Sequence, residues 1–217
     1  MPKSTFQGIA IRGIAGAVPA NKVSVLNDHV FCAADERRKI AALTGILEYR
    51  KATPDLCASD LCQTAAEKLL FALSVNPESI DAIVFSTITP DYRMPSNACL
   101  LQARLGASRS VVAYDINMGC SGYVVGLYNA CALIAGAGLR RVLLLAGDTQ
   151  TKLCHEEDKN VVFLLGDGAT ATLLEADPRA AEIVIEIFTD GSRYKALYVP
   201  AGGFRERSSA ASREVKL

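Results

Sequence analysis

Apolar and polar positions follow two rhythms along this chain. Gly8–Val18, an apolar run broken by Arg12, predicts a first strand. A mixed region follows, with a helix expected from about Asp35 to Leu43. Ala58–Leu73 places Leu61, Ala65, Leu69 and Ala72 at helical spacing, with Ser59 or Asp60 able to cap it. Asp81–Ile88 is β-branched and reads as a buried strand. Asn97–Leu105 predicts a short helix that Gly106 stops. Val111–Ile116 predicts a strand, Ser121–Gly136 a helix and Arg141–Gly147 another strand. Val161–Leu165 and Ala169–Glu175 are two apolar runs around Gly166-Asp167-Gly168. Ile183–Phe188 alternates Ile and Val with Glu, as a strand with one wetter face does.

The resulting order, β-α-β-α-β-α-β-β, describes an α/β domain on a mixed, mostly parallel sheet with helices on its faces. That domain is expected over residues 1–201. The tail 202–217, rich in Ser, Arg and Ala, is expected to be disordered or the torn start of something larger. Gly122–Leu139 approaches membrane-spanning length, yet it holds Asn129 and many Gly and Ala. It therefore reads as a buried core helix.

Charge narrows the function classes. Lys plus Arg number 23 and Asp plus Glu 23, so the net charge is zero. The basic excess that a nucleic acid or an anionic membrane calls for is missing. Arg37-Arg38-Lys39 and Arg140-Arg141 read as solvated caps. The seven cysteines are Cys32, Cys57, Cys62, Cys99, Cys120, Cys131 and Cys154. Their odd number and irregular spacing argue against a disulfide framework or a zinc site and fit a reducing cytoplasm. His29 and His155 are too few and too far apart for a metal site.

The most informative segment is Asp115-Ile116-Asn117-Met118-Gly119-Cys120-Ser121-Gly122-Tyr123. A strand ends, the chain turns through small residues, and Cys120 opens a helix. A Cys there faces backbone N–H groups and the positive end of the helix dipole, which favour thiolate over thiol. The thiolate is the form that attacks a thioester carbonyl, and the same N–H groups can stabilise the oxyanion that results. On composition alone an inert core Cys is the better reading, and the strand–turn–helix placement reverses that preference. Cys62, Cys99 and Cys131 lie on helical patterns and read as core filler. Cys32 and Cys57 have no positioned partner. Cys154 and His155 are adjacent and so do not face each other on a helix.

Two other patterns compete. Gly166–Ala171 matches the G-x-G-x-x-A dinucleotide fingerprint, with Glu186 and Asp190 near the expected acid spacing. That fingerprint needs a helix after the glycines, whereas Thr170-Ala171-Thr172-Leu173-Leu174 favours a strand. Gly119-Cys120-Ser121-Gly122 misses the hydrolase elbow because Tyr123 stands where its last Gly belongs.

Together, Thr44-Gly45-Ile46, Thr87 to Ser96 (TITPDYRMPS), the Cys120 segment and Gly166-Asp167-Gly168-Ala169 resemble the β-ketoacyl-acyl carrier protein synthase III family of thiolase-like condensing enzymes. The four pieces stand in that family's order and approximate spacing. The resemblance implies a thiolase-like half of a five-layered αβαβα architecture, working as a homodimer. It also implies ping-pong chemistry without a permanently bound cofactor. Cys120 would take an acyl group from acyl-coenzyme A or acyl carrier protein, and malonyl-acyl carrier protein would lose carbon dioxide and condense with it. Met94 matches a dimer-loop residue that reaches into the neighbour's acyl pocket. Asp167 matches a structural turn.

Lys39 and Lys159 stand where the family carries an aromatic residue and an Arg that clamp coenzyme A, and Leu47 replaces the Arg after Thr-Gly-Ile. An ammonium cannot stack as a guanidinium does, which points toward a carrier-protein-bound or an unusual acyl donor. The family's His and Asn belong to a C-terminal half, which is expected to be missing here. The alternatives are a non-catalytic half-length partner of a complete synthase, or a dinucleotide-dependent oxidoreductase using Gly166–Ala171.

Overall fold

The computed structural model describes residues 3–29, 31–155, 157–159, 161–200 and 202–206. Its strands and α-helices are, in chain order, β1 (Lys3–Phe6), β2 (Ile9–Ala17), β3 (Lys22–Ser24), α1 (Ala34–Thr44), β4 (Glu48–Arg50) and α2 (Ala58–Ala72). They continue with β5 (Ala82–Ser86), α3 (Asn97–Leu105), β6 (Val112–Ile116), α4 (Gly122–Ala137), β7 (Arg141–Asp148), β8 (Gly168–Ala176) and β9 (Ile183–Glu186). These fall into two compact units. The first comprises Met1–Val18, Pro54–Asp148 and Gly168–Phe188, and the second Pro19–Thr53, Thr149–Asp167 and Thr189–Leu217.

The first unit is built on a five-stranded sheet in the order β2-β8-β7-β5-β6. β5 sits between β7 and β6, parallel to both, and all five of its residues are buried. Its side chains alternate, so Ile83 and Phe85 join one core while Ala82 and Val84 join another. β7 divides likewise, Leu143 and Leu145 against Val142 and Leu144. Leu61, Leu69 and Leu70 of α2 and Leu101 of α3 cover the first side, and Ala130, Cys131 and Ile134 of α4 cover the second. A strand buried on both faces has no polar alternation to show, which is why Asp81–Ile88 reads as one apolar run.

The sheet is mixed and mostly parallel as expected: β2, β7, β5 and β6 run the same way, and only β8 runs against its neighbours. Two expectations are revised. α4 is not buried all round. Gly122, Gly126, Ala130, Cys131 and Ile134 form one covered stripe, whereas Val124 is 44% exposed. Small residues set that stripe: a Cβ on Gly126 would stand 2.5 Å from Leu144 Cδ1. Cys99, expected in the core, lies exposed on α3. At the start of α2 the N-cap is Cys57, whose N–H donates to Asp60 Oδ2 (2.8 Å), while Ser59 donates instead to Asp91 (2.6 Å). No helix among the described residues is long and apolar enough to cross a membrane.

The second unit holds the antiparallel β3–β4 pair, α1 and a small core of Val25, Cys32, Ala41 and Phe163. α1 stops where Gly45 turns left-handed (φ 74°) and its N–H closes on Ala41 O at 2.9 Å. Thr44 Oγ1 donates to Ile40 O, so the Thr-Gly-Ile sequence is a helix stop. In the same unit, buried Asp167 accepts from Ala52 N, Thr151 N and Thr151 Oγ1 at 2.6–2.9 Å. That is a structural turn, as the family resemblance implies. Beyond it the chain runs straight into β8, so the helix that a dinucleotide fingerprint requires is replaced by a strand. Of the tail, 202–206 is described as bends, and 207–217 lies outside the described residues.

Candidate active site

The parallel strands β5, β6 and β7 end on one edge of the sheet, and the segments that leave them carry the candidate chemistry. Outside the carboxyl ends of such strands, helix N-termini and loops converge around an open crevice. β6 ends at Ile116, and Met118 N–H donates back to Ile116 O at 3.1 Å. Gly122 N–H then closes on Gly119 O at 2.7 Å, which forces the chain around Cys120 before α4 begins at Gly122. Cys120 is exposed on this turn.

The turn is packed tightly from below. Buried Ser86, the last residue of β5, donates its hydroxyl to Met118 O at 3.4 Å. A Cβ on Gly122 would come within 2.3 Å of Ser86 Oγ, so only glycine fits there without displacement. At Gly119 the nearest atoms to a Cβ would be two methyl carbons of Ile88, both 3.8 Å away. Tyr123 in the first turn of α4 reaches across to buried Thr172 on β8, with 3.3 Å between hydroxyls.

Two carboxylates fasten the surrounding segments. Asp148, closing β7, accepts at Oδ1 from Thr87 Oγ1 (2.8 Å), Ile88 N (2.8 Å), Thr89 N (3.1 Å) and Thr89 Oγ1 (3.0 Å). Asp115, near the end of β6, accepts from Ser96 Oγ (2.8 Å), Asn97 N (2.7 Å), Asn97 Nδ2 (3.3 Å) and Ala98 N (2.8 Å). The first holds the segment leaving β5; the second caps α3. The loop from Pro90 to Pro95 is therefore pinned at both ends. Met94 stands on it, 85% exposed.

Against this setting the other cysteines differ in environment. Burial pushes the Cys131 thiol up to about 11 and raises that of Cys62 further. Cys32 is raised by burial and then by its hydrogen bond to Glu36, and Cys154 by burial and then by Asp158 and Asp167. A thiol held protonated is a poor nucleophile. Cys154 bonds Gln150 O and His155 bonds the Glu157 N–H, so no Cys154–His155 pair forms. Exposed Cys99 lies on α3.

Lys39 and Lys159 belong to the second unit, and both are exposed. Lys159 Nζ donates to both Glu36 oxygens, at 3.0 and 2.9 Å. That pairing, first, holds the Glu36 carboxyl below the ordinary range; the Cys32 hydrogen bond comes second and the Lys39 charge adds to it. The described residues contain no group of His, Cys, Asp and Glu able to hold a metal ion.

The family model of 3-oxoacyl-[acyl-carrier-protein (ACP)] synthase III matches residues 114–191, the stretch that contains Cys120. Beta-ketoacyl-[acyl-carrier-protein] synthase III of Xylella fastidiosa is 38% identical over 211 residues, 95% of this chain and 63% of that protein. The protein of the same name from Caldanaerobacter subterraneus is 37% identical over 179 residues, 82% of this chain and 54% of that one. The crystal structure of a 3-oxoacyl-(acyl-carrier protein) synthase from Burkholderia xenovorans superimposes with a TM-score of 0.92 at 37% identity, covering 95% of this chain and 59% of that one. Over these stretches the chain is similar to members of the 3-oxoacyl-[acyl-carrier-protein] synthase III family. It spans between half and two thirds of the length of these synthase III relatives.

Sequence reasoning placed Cys120 between a strand and a helix, where the structure has it, and missed the residues that hold its turn. Asp115 and Asp148 were visible as carboxylates at the ends of apolar strand runs, a costly place for a charge unless several donors meet it. Ser86 and Ile88 carried no comparable signal, since each looks like ordinary strand content.

Proposed function

We propose that this chain accepts an acyl group on Cys120 as the first step of a 3-oxoacyl-acyl carrier protein synthase III reaction. The observation that carries the reading is an exposed cysteine on a tightly built turn, at the carboxyl ends of parallel strands, inside the family-matched segment. Cys120 Sγ attacks the carbonyl carbon of an acyl thioester, from acyl-coenzyme A or acyl carrier protein. The donor's C–S bond breaks, and the donor thiol leaves with the proton that Cys120 gave up. In the second half-reaction malonyl-acyl carrier protein loses carbon dioxide, its carbanion attacks the acyl carbon, and the bond to Sγ breaks. Neither step calls for a bound cofactor.

Met94, on its doubly pinned loop, would border the acyl pocket of a second copy in a homodimer. Lys39 and Lys159 would meet the donor. Lys159 is already paired with Glu36, so it offers charge without a free planar stacking surface, which favours a carrier-protein-bound donor. Acyl carrier protein is the protein partner on this reading, and the cytoplasm its setting.

The test is intact-protein mass spectrometry after incubation with acyl-coenzyme A and with acyl carrier protein donors. An acyl increment is expected that maps to Cys120, disappears in Cys120→Ala and persists in Cys154→Ala. An increment that survives Cys120→Ala, or none with any donor, would overturn the proposal.

A further inference from the structure

We infer that Asp148 is a positioning residue for Cys120, acting through the Thr87–Thr89 segment and the Ile88 side chain. The inference rests on Cys120 being the acylated nucleophile. Asp148 does not touch the thiol. It gathers four donors from three consecutive residues onto one oxygen, and so fixes both the backbone and the hydroxyls of the segment leaving β5. Within that segment Thr89 N–H also donates to Thr87 Oγ1 at 3.0 Å, so the three residues form one closed hydrogen-bonded unit.

The residue at the centre of this unit is Ile88. Its backbone is held by Asp148, and two of its methyl carbons face Gly119, the residue directly before Cys120. Ser86, one residue before the unit begins, bonds Met118 O and crowds Gly122. The turn carrying the thiol is thus bonded by residue 86 and flanked by residue 88. Thr87 N–H donates to Ile116 O at 3.1 Å, which carries β5–β6 pairing up to the edge of the turn. If Asp148 is removed, two threonine hydroxyls and two N–H groups lose their common acceptor. The segment then relaxes, and with it the Ile88 side chain beside Gly119 and the neighbouring Ser86 bond to Met118 O. A thiol misplaced by about 1 Å can lose on the order of a hundredfold in rate while its intrinsic reactivity is untouched.

A general structural role predicts something else, and Asp81 provides the control. It accepts from Arg140 N and Arg141 N, each at 2.8 Å, at the opposite end of the same strands. Both carboxylates tie β5 to β7, but only Asp148 holds a segment that contacts the cysteine turn.

The experiment is single-turnover acylation of the full chain, followed by intact mass over a range of donor concentrations. Wild type, D148A, D148N and D81A are compared, each corrected for folded fraction by circular dichroism. Alkylation of Cys120 by iodoacetamide, which makes little demand on orientation, is followed in parallel. In D148A the acylation rate constant at saturating donor is expected to fall at least about tenfold, with the half-saturating concentration and the alkylation rate changed less than about twofold. D148N keeps an acceptor oxygen and is expected to recover part of the loss. D81A is expected to acylate like wild type. Should D148A not fold, Thr89→Val, which removes one of the four donors, is expected to show the same split on a smaller scale. Equal losses in D81A and D148A, or parallel losses in acylation and alkylation, would overturn the inference. Failure of wild type to acquire any acyl group would instead remove the underlying reading of Cys120, and the inference with it.

Discussion

At the N-terminal end of β5 and β7, Asp81 gathers the N–H groups of Arg140 and Arg141, and its own C=O accepts from Val112 as β6 begins. At the C-terminal end, Asp148 and Asp115 gather eight hydrogen bonds between them. The device is the same, a carboxylate that satisfies backbone donors the sheet leaves over. The cargo differs. At one end it is a turn between α4 and β7; at the other it is the segment against Gly119 and the start of α3. A carboxylate at a strand end is therefore no sign of a site by itself. What it holds, and what that segment touches, decides.

α4 draws the same contrast along its own length, and it gives the largest expected effect. Gly122 has no room for a Cβ because of Ser86 Oγ, whereas Gly136 has nothing within 4 Å of one. Gly122→Ala should destabilise the fold by about 1–3 kcal/mol through overpacking and abolish most acyl transfer to Cys120. Gly136→Ala should leave acylation intact and raise stability by up to about 1 kcal/mol, since alanine is the better helix former. Urea denaturation of both variants, with acyl mass increments recorded alongside, checks the pair. Equal stability losses would dissolve the distinction between the two ends.

Asp115 sharpens the comparison at its second site. Asp115→Ala leaves the Asn97 and Ala98 N–H groups without the acceptor that caps α3, and a lost cap costs about 0.5–2 kcal/mol. The loss should appear in denaturation midpoints. It should also shorten hydrogen-exchange protection in the first turn of α3 more than in α2. Uniform loss of protection across both helices would show that the cap is not local.

How far such features could be read in advance follows from their range. Apart from β1, which no expected element anticipated, the strands and helices of the first unit rest on apolar spacing and on stop signals such as Gly106, which are local, and their expected bounds differ from the structure by a few residues at most. The turn that carries Cys120 was legible for the same reason, as a strand, a turn and a helix in immediate succession. Hydrogen bonds from Asp148 to Thr87 span 61 positions, and those from Asp115 to Ser96 span 19. Nothing in periodicity encodes such pairings. α4 failed differently. Its composition is apolar on every side, but only the stripe of Gly122, Gly126, Ala130, Cys131 and Ile134 is covered, so hydropathy alone overstated its burial. Cys99 misled because helical spacing gives a face without saying which face is covered.

The smallest expected effect concerns a buried polar group that lacks the converging donors seen at the strand ends. His29, in the second unit, is 7% exposed and bonds Tyr49 OH at 3.2 Å. Its ring is surrounded by those of Phe31, Tyr49 and Phe163 at 4.7–5.8 Å. Burial lowers its pKa from 6.5; Asp28 opposes that shift, while Arg37 and Lys51 reinforce it. The unfolded chain therefore takes up a proton before the folded one does. The neutral ring's full contribution is present above about pH 6.5. It is lost as pH falls from there toward the lowered folded value, below which the loss stops growing. Melting temperatures from pH 7.5 to 5.5 should fall more steeply for wild type than for His29→Gln, because the carboxylates that also titrate are common to both. Parallel curves would mean that the ring already meets a proton in the fold as easily as it does outside it.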